Sequence, residues 1–470
     1  MGPRARIVRA MSRHVKPSLN PRVIAFHALE TIAQRATAGA GDVLADTFAR
    51  LPGLDVRDRA LATELVQGVL RWQLVLDARL GPLVNQGLAK IEREAAVWLR
   101  LGAYQTAFLG RIPRSIAVSA TIDALKSSGS ARLAGLVNAV LRRFVAGLPM
   151  IADPTSDDPT ELALALAGIG PDTPPTVETV AACAGLPEWI AAEMVATWGA
   201  DALREALALR RRAGVTLRPT VGRGGTDALL AALGKAGLEG RPIAEGPGRG
   251  LVELAEGDVF RTAAWFEGLC VAQDVSSHAV VRRLMDTWNS THPGGPAPRV
   301  LDLCAGRGIK ATALADMGAE VVAVDVGPAK LETLKGLARR LGVEDRIRAT
   351  IATDATRPDS AVAAHGPYDV VLVDAPCSGL GTIRRHPEIV FRRQPGDIAS
   401  LVAIQRALVE RATELVRPGG AIVYAVCSFV RAEGDVPVPS GFACVDAGAE
   451  RPTSGGDAFV FKRFEDRRHG

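Results

Sequence analysis

The chain has 470 residues, more than one hydrophobic core usually organises, so two or three domains are expected. Hydrophobic residues make up 48% and charged residues 23%, which excludes general disorder, a collagen-like repeat and a disulfide-stapled scaffold. The formal charge is +5, and Arg4, Arg6, Arg9, Arg13 and Lys16 lie in an acid-free stretch of twenty residues, a basic tail suited to phosphate contact and equally to simple solvation.

That opening stretch lacks the apolar run of a secretory signal, and nowhere does the chain approach the roughly 18 apolar residues a membrane span needs. A cytoplasmic protein without membrane attachment is expected. Residues 21–147 read as amphipathic helices, as in PRVIAFHALETIAQ and DRALATELVQGVLRWQLVLDARL, with apolar residues at three- and four-residue spacing. Trp72 and Trp98 fall on the apolar faces, where core packing is expected rather than base stacking. Residues 148–185 are rich in Pro, Asp and Thr and read as a linker with a short helical insert, ELALALAGI. Residues 186–268 alternate helices with short strand candidates such as VTLRPT and suggest a small α/β linking unit. From residue 269 the pattern becomes regular: RVLDLC, helix, AEVVAVDV, helix, IRATIATD, YDVVLVDAP, a long helix over 398–416, then AIVYAVCS. Apolar strands alternating with helices predict an α/β, doubly wound, Rossmann-like and mostly parallel sheet with ligands at the strand carboxyl ends.

In VLDLCAGRGIKATALA, Gly306, Gly308 and Ala311 form G-x-G-x-x-A between the first strand and its helix. Such a turn lets backbone approach a ligand and offers free amides at a helix start. Asp325, closing the next strand, occupies the position from which a ribose diol is commonly held. Asp354, after the third, could accept from an adenine amino group or cap the following helix. A nucleoside-containing cofactor is expected.

The six cysteines have no CxxC spacing, so neither a disulfide framework nor a zinc site is implied. His386-Pro387-Glu388 has the H-x-E of zinc deaminases but no downstream P-C-x-x-C, and no metal is expected. Cys377 and Cys427, however, both follow strand ends, the first beside Asp374. Thiol chemistry of this kind serves methylation at carbon 5 of a pyrimidine, a carbon too weakly nucleophilic to attack a sulfonium methyl unaided. A thiolate adds to carbon 6, carbon 5 becomes enamine-like and takes the methyl, and loss of its proton expels the thiolate. Asp374 could stabilise the adduct through the ring nitrogen and exocyclic amine. Lys310 could lower the thiol pKa.

DAPCSGLGTIRRHPEI and GGAIVYAVCS resemble the fourth and sixth signature motifs of the Sun (RsmB-type) ribosomal RNA cytosine methyltransferases, a likeness covering most of the chain. The resemblance implies Cys427 as nucleophile, Cys377 in product release and Asp374 against base and cofactor. It places S-adenosyl-L-methionine along Cys304, Ala305, Gly306, Arg307, Gly308, Ile309, Lys310, Asp325 and Asp354. RDRALATELVQGVLRW, WLRLGAYQ and LVNAVLRRF are similar to the NusB-like helical RNA-binding domain of that family, and CVAQDVSSHAV to its lead-in to the catalytic domain. Ribosomal RNA, from the small subunit, is the implied partner of an enzyme expected to be a monomer.

The chain departs from the family pattern in three places. CAGRGIK replaces CAAPGGK; RAEGDVPVPSG replaces a PEEN-like turn and helix, leaving DAFVFKRF to close the sheet; and LRPT lacks the asparagine of an LRVN-like segment. Arg384, Arg385, Arg392 and Arg393 make a basic stretch expected to meet RNA phosphates. Arg210, Arg211 and Arg212 could do the same or complement a helix C-terminus. The glycine turn with Asp325 also fits an NAD-dependent dehydrogenase, which leaves the two cysteines without a task, and a non-catalytic RNA-binding protein would need only the helical domain and basic arm.

Overall fold

The computed structural model describes residues 20–35, 39–153, 155–156 and 158–468. The basic tail expected over residues 1–20 therefore lies outside the described residues apart from Asn20. The chain divides into two compact units, residues 1–211 with 384–392, and residues 212–383 with 393–470.

The first unit is helical: α1 (Pro21–Gln34), α2 (Ala40–Ala49), α3 (Val56–Leu80), α4 (Arg93–Phe108), α5 (Arg114–Ser127) and α6 (Ala134–Ala146), then α7 (Thr160–Ala167), α8 (Val177–Ala184), α9 (Glu188–Trp198) and α10 (Ala202–Ala208). Local chemistry sets the starts. Asn20 accepts from the Arg22 amide at 2.9 Å with Pro21 in the first turn, and Asp55 accepts from the Arg57 amide at 2.7 Å. Both tryptophans are core residues, as their helical phase predicts: Trp98 is stacked on Phe26 with centroids 4.7 Å apart, and Trp72 on Phe108 at 4.8 Å. The span 148–185, read as a linker, contains two of these helices, and α9 and α10 belong to this unit rather than to an α/β linking unit. The dividing point falls at Arg211/Arg212, inside that expected unit.

The second unit holds two sheets. The smaller is antiparallel, with strand order β2-β3-β1-β4, from β1 (Val215–Pro219), β2 (Gly240–Pro242), β3 (Val252–Leu254) and β4 (Cys270–Ala272), and α11 (Gly225–Lys235) supplies Leu229 and Leu233 to its core. After α12 (Val275–Thr291) comes the larger sheet, order β10-β11-β9-β8-β5-β6-β7. Its parallel part comprises β5 (Arg299–Asp302), β6 (Glu320–Asp325), β7 (Ile347–Ala352), β8 (Tyr368–Asp374) and β9 (Val416–Val426). Helices α13 (Ile309–Asp316), α14 (Pro328–Leu341) and α15 (Pro395–Leu415) connect them. Both faces are covered by separate cores, one with Val300, Leu314 and Val370, the other with Leu301, Val371 and Leu408, which explains the uninterrupted apolar runs.

Two antiparallel strands complete the sheet, β10 (Phe442–Glu450) outside β11 (Phe459–Asp466). The segment DAFVFKRF thus lies between β9 and β10 rather than at the edge. The strand of mixed small and polar residues, FACVDAGAE, takes the edge and leaves most of its side chains part-exposed. Strand order reverses at β5, with β6 on one side and β8 on the other. The carboxyl ends of these neighbours therefore open a single crevice.

Candidate active site

The β5–α13 turn begins the crevice. Gly306 and Gly308 have φ of 55° and 87°, in the left-handed region. A Cβ on Gly308 would lie 2.4 Å from Leu334 Cγ, so only glycine lets α14 approach the turn, whereas a Cβ on Gly306 would meet nothing. Ala305 donates to Val324 O at 2.8 Å, Cys304 is half-buried, Arg307 is exposed and Ile309 starts α13. The change from CAAPGGK to CAGRGIK thus leaves a closed turn with glycine at its tightest point.

Asp325, at the end of β6, accepts from the Gly306 amide at 3.0 Å and the Gly327 amide at 2.7 Å, and Lys330 Nζ lies 3.2 Å away. Asp354 is more exposed and turns inward on its own loop, accepting from the Thr356 amide and hydroxyl and pairing with Arg357. Those bonds hold its carboxyl below the ordinary aspartate value.

Asp302 ends β5 beneath the turn and carried no assignment from sequence. It is 1% exposed, its Oδ1 receives only the Cys304 amide at 3.4 Å, and its Oδ2 accepts no hydrogen bond among the described residues. Burial first, then the charge of Asp374, pushes its pKa up to about 7. An acid so placed awaits a donor or cation, which suits the cationic amino-acid end of S-adenosylmethionine.

Across the crevice, Lys310 Nζ donates to Asp374 Oδ2 at 2.7 Å and sits 5.0 Å from the Phe459 ring centre. Register pairs Asp374 with Ala425, two residues before Cys427. The cysteine sulfurs of Cys377 and Cys427 are 3.3 Å apart. The hydrogen bond to Cys427, together with burial, raises the Cys377 thiol well above its usual range. All six cysteines are free, and burial and neighbouring carboxylates also raise Cys304, which fits a lining residue and not a nucleophile.

The basic stretch divides. Arg393 donates to the carbonyls of Ser378 and Cys377 at 2.8 and 3.2 Å, tying down the loop that carries Cys377. Arg384, 7% exposed, belongs to the first unit, where its carbonyl accepts from Arg71; Arg392 donates to Arg35 O, and Arg385 is half-buried. Arg384 and Arg393 are therefore structural rather than the open phosphate contacts expected of them, because each is engaged by local backbone or burial. Of the run for which both phosphate contact and a helix C-terminus were open, Arg210 is 1% exposed against Trp72, while Arg211 pairs with Asp158 at 2.6 Å.

Sequence reading also missed Glu433. It stands third in RAEG, where PEEN has its second acid, and it is fully buried, with the Ser378 amide and hydroxyl and the Ser428 hydroxyl each 2.6 Å away. The repeated dipeptide Cys-Ser at 377–378 and 427–428 was the visible signal.

The chain is similar to known proteins in both its units. Residues 295–440 match the family model of the 16S rRNA methyltransferases RsmB/F, and residues 19–146 match the NusB family. Ribosomal RNA small subunit methyltransferase B of Xanthomonas campestris is 30% identical over 84% of this chain and 82% of its own length. Its counterpart in Xylella fastidiosa strain 9a5c is 32% identical over 87% of this chain and 88% of its own. The crystal structure of PH0851 shares the fold, with a TM-score of 0.73 at 19% identity over 96% of this chain and 100% of that one. A dehydrogenase reading of the glycine turn is thereby set aside: the chain belongs to the RsmB/F family of S-adenosylmethionine-dependent rRNA methyltransferases.

Proposed function

We propose that this protein, acting as a cytoplasmic monomer, forms 5-methylcytosine in small-subunit ribosomal RNA through a covalent Cys427 adduct. The observation that carries the reading is the 3.3 Å approach of Cys377 and Cys427 at the ends of adjacent strands, beside the Lys310–Asp374 pair. S-adenosylmethionine, when bound, supplies an electrophilic methyl group. Asp302, the turn over Cys304–Lys310, Asp325 and Asp354 are the residues that would hold it, and Asp302 Oδ2, which accepts no hydrogen bond among the described residues, fits a cationic ligand.

Cys427 Sγ bonds to carbon 6 of the cytosine, and the electron pair of the 5,6 double bond moves to carbon 5. Asp374, fixed by Lys310, meets the base's ring nitrogen and exocyclic amine and balances the charge that develops there. The Lys310 ammonium is itself held charged by Asp374 first and also by the charge of Cys427. After the methyl is on carbon 5, the carbon-5 proton passes to the Cys377 thiolate, the C–H electron pair reforms the 5,6 double bond and the Cys427 sulfur departs as thiolate. Cys377 assists this last step. While Cys427 is a thiolate, the bond between the two keeps Cys377 protonated; once Cys427 is a thioether that bond weakens and Cys377 becomes more acidic. The helical NusB-family unit is assigned to RNA binding.

Transfer of labelled methyl to unmodified ribosomal RNA, followed by bisulfite sequencing, tests the reading. One new 5-methylcytosine is expected with the wild type and none with Cys427→Ala, while Cys377→Ala accumulates a covalent RNA complex. Full activity in Cys427→Ala overturns it.

A further inference from the structure

Each active-site cysteine is followed by a serine, and the two serines are bridged by one buried carboxylate. Ser378 Oγ and Ser428 Oγ are 3.1 Å apart, and each lies 2.6 Å from Glu433 Oε2. Glu433 Oε1 receives the Ser378 amide at 2.6 Å and the Gln405 amide at 3.1 Å. All four side chains are fully buried. The proton count leaves little freedom. Ser428 Oγ accepts from the Val430 amide at 3.0 Å and Ser378 Oγ from the Leu380 amide at 3.4 Å, so each hydroxyl has its single proton available for Glu433. An ionised carboxylate has room for four donors and none to give, which matches the four groups pointed at it.

The carboxylate is itself held. Tyr424 Oη donates to Glu433 O at 2.6 Å, and the Gln405 amide also donates to Pro376 O at 3.0 Å, one residue before Cys377. Strand β8, strand β9 and helix α15 thus converge on one side chain directly behind both sulfurs. Its charge also contributes, after the Cys427 bond and burial, to keeping Cys377 protonated.

We propose that Glu433 is the positioning residue of the two-cysteine site: by joining the Ser378 and Ser428 turns it sets the distance between Cys377 and Cys427. This rests on the covalent mechanism proposed above. It assigns a task to the acid retained in RAEG although the PEEN-like sequence is otherwise lost.

The test uses the full-length chain and RNA carrying 5-fluorocytosine, whose adduct cannot lose a proton from carbon 5 and so persists. Wild type should trap the RNA and Cys427→Ala should not; trapping by Cys427→Ala would overturn Cys427 as the nucleophile, whatever Glu433 does. Given that result, Glu433→Gln, which sets an amide donor against the serine donors, should slow adduct formation about 100-fold, the scale of an ångström-sized misplacement of reacting groups. Its KM for RNA and its S-adenosylmethionine affinity should stay unchanged, and Glu433→Asp should recover part of the rate. Diamide, which takes two electrons and two protons from a thiol pair, gives a readout independent of turnover: closure of a Cys377–Cys427 disulfide, followed by peptide mapping, should slow in Glu433→Gln. If Glu433→Gln does not fold, the single variants Ser378→Ala and Ser428→Ala, each removing one arm of the bridge, should show the same two effects more weakly. Wild-type adduct and disulfide rates in a folded Glu433→Gln, or in both serine variants, overturn the proposal.

Discussion

Lys310 Nζ lies 2.7 Å from Asp374 Oδ2, joining the helix after β5 to the end of β8 across the point where strand order reverses. The same ammonium offsets the repulsion between Asp374 and buried Asp302. Replacing it with a neutral isostere leaves two carboxylates facing each other, and one should then keep a proton to higher pH. Lys310→Met is expected to lower kcat/KM by about 100-fold or more, in the range seen when a group stabilising transition-state charge is removed. Its Tm deficit against wild type should be largest near pH 8 and shrink toward pH 5.5, where the carboxyls share protons. A deficit independent of pH would show that Lys310 acts by packing alone.

Asp302 makes a sharper pH prediction. Its folded pKa of about 7 exceeds the unfolded value near 3.8, so between these the folded protein holds a proton that the unfolded chain has released. Stability from this group therefore falls as pH rises through that window, and the penalty is complete above it. Asp302→Asn removes the ionisable group and should stabilise the cofactor-free protein at pH 8, by an amount on the order of 1–3 kcal/mol, with almost no gain at pH 4.5. Cofactor affinity should fall in the same variant. Urea denaturation at the two pH values, with calorimetric titration of S-adenosylmethionine, checks both halves.

The two glycines of the turn should respond differently to a methyl group. Gly306→Ala meets open space and costs only the left-handed backbone, about 1–2 kcal/mol. Gly308→Ala carries that cost and drives its Cβ to 2.4 Å from Leu334 Cγ, adding about 1–3 kcal/mol of overpacking and moving α14 off the turn. Denaturant midpoints should rank wild type, Gly306→Ala, Gly308→Ala, and only Gly308→Ala should lose most cofactor binding.

The parts of the site that lie at strand ends were legible in sequence. Apolar runs announce parallel strands, and whatever follows such a run emerges at the carboxyl edge, so Gly306, Asp325, Asp374, Cys377 and Cys427 could be grouped before any coordinates. Glu433 could not: its partners Ser378 and Gln405 are 55 and 28 residues away, and no periodicity records a hydrogen bond across loops. Arg393 and Arg384 misled for a related reason. A run of arginines has the same appearance whether it faces solvent or ties backbone carbonyls. The unit boundary at 211/212 was hidden because α9 and α10 share the periodicity of any amphipathic helix, and only their partners, such as α8, decide which core they join.

The segment LRPT, whose missing asparagine sets it apart from the family pattern, carries a buried ion pair instead. Arg218 Nη1 lies 3.3 Å from Asp316 Oδ2, both side chains are under 5% exposed, and Nη2 donates to Thr312 Oγ1 at 3.3 Å. Asp316 also accepts from the Val221 amide at 3.1 Å, so the small sheet is fastened to α13, the helix that begins with the cofactor turn. Breaking such a pair strands a charge in the interior. Asp316→Ala should cost about 3–5 kcal/mol in urea denaturation, and Arg218→Met about as much, whereas the double variant should be less damaging than either cost added to the other. Because α13 positions Lys310, the single variants should also weaken S-adenosylmethionine binding, with the double variant recovering part of it. Additive costs in the double-mutant cycle would mean that the two residues contribute independently and that the tie between the small sheet and the cofactor turn lies elsewhere.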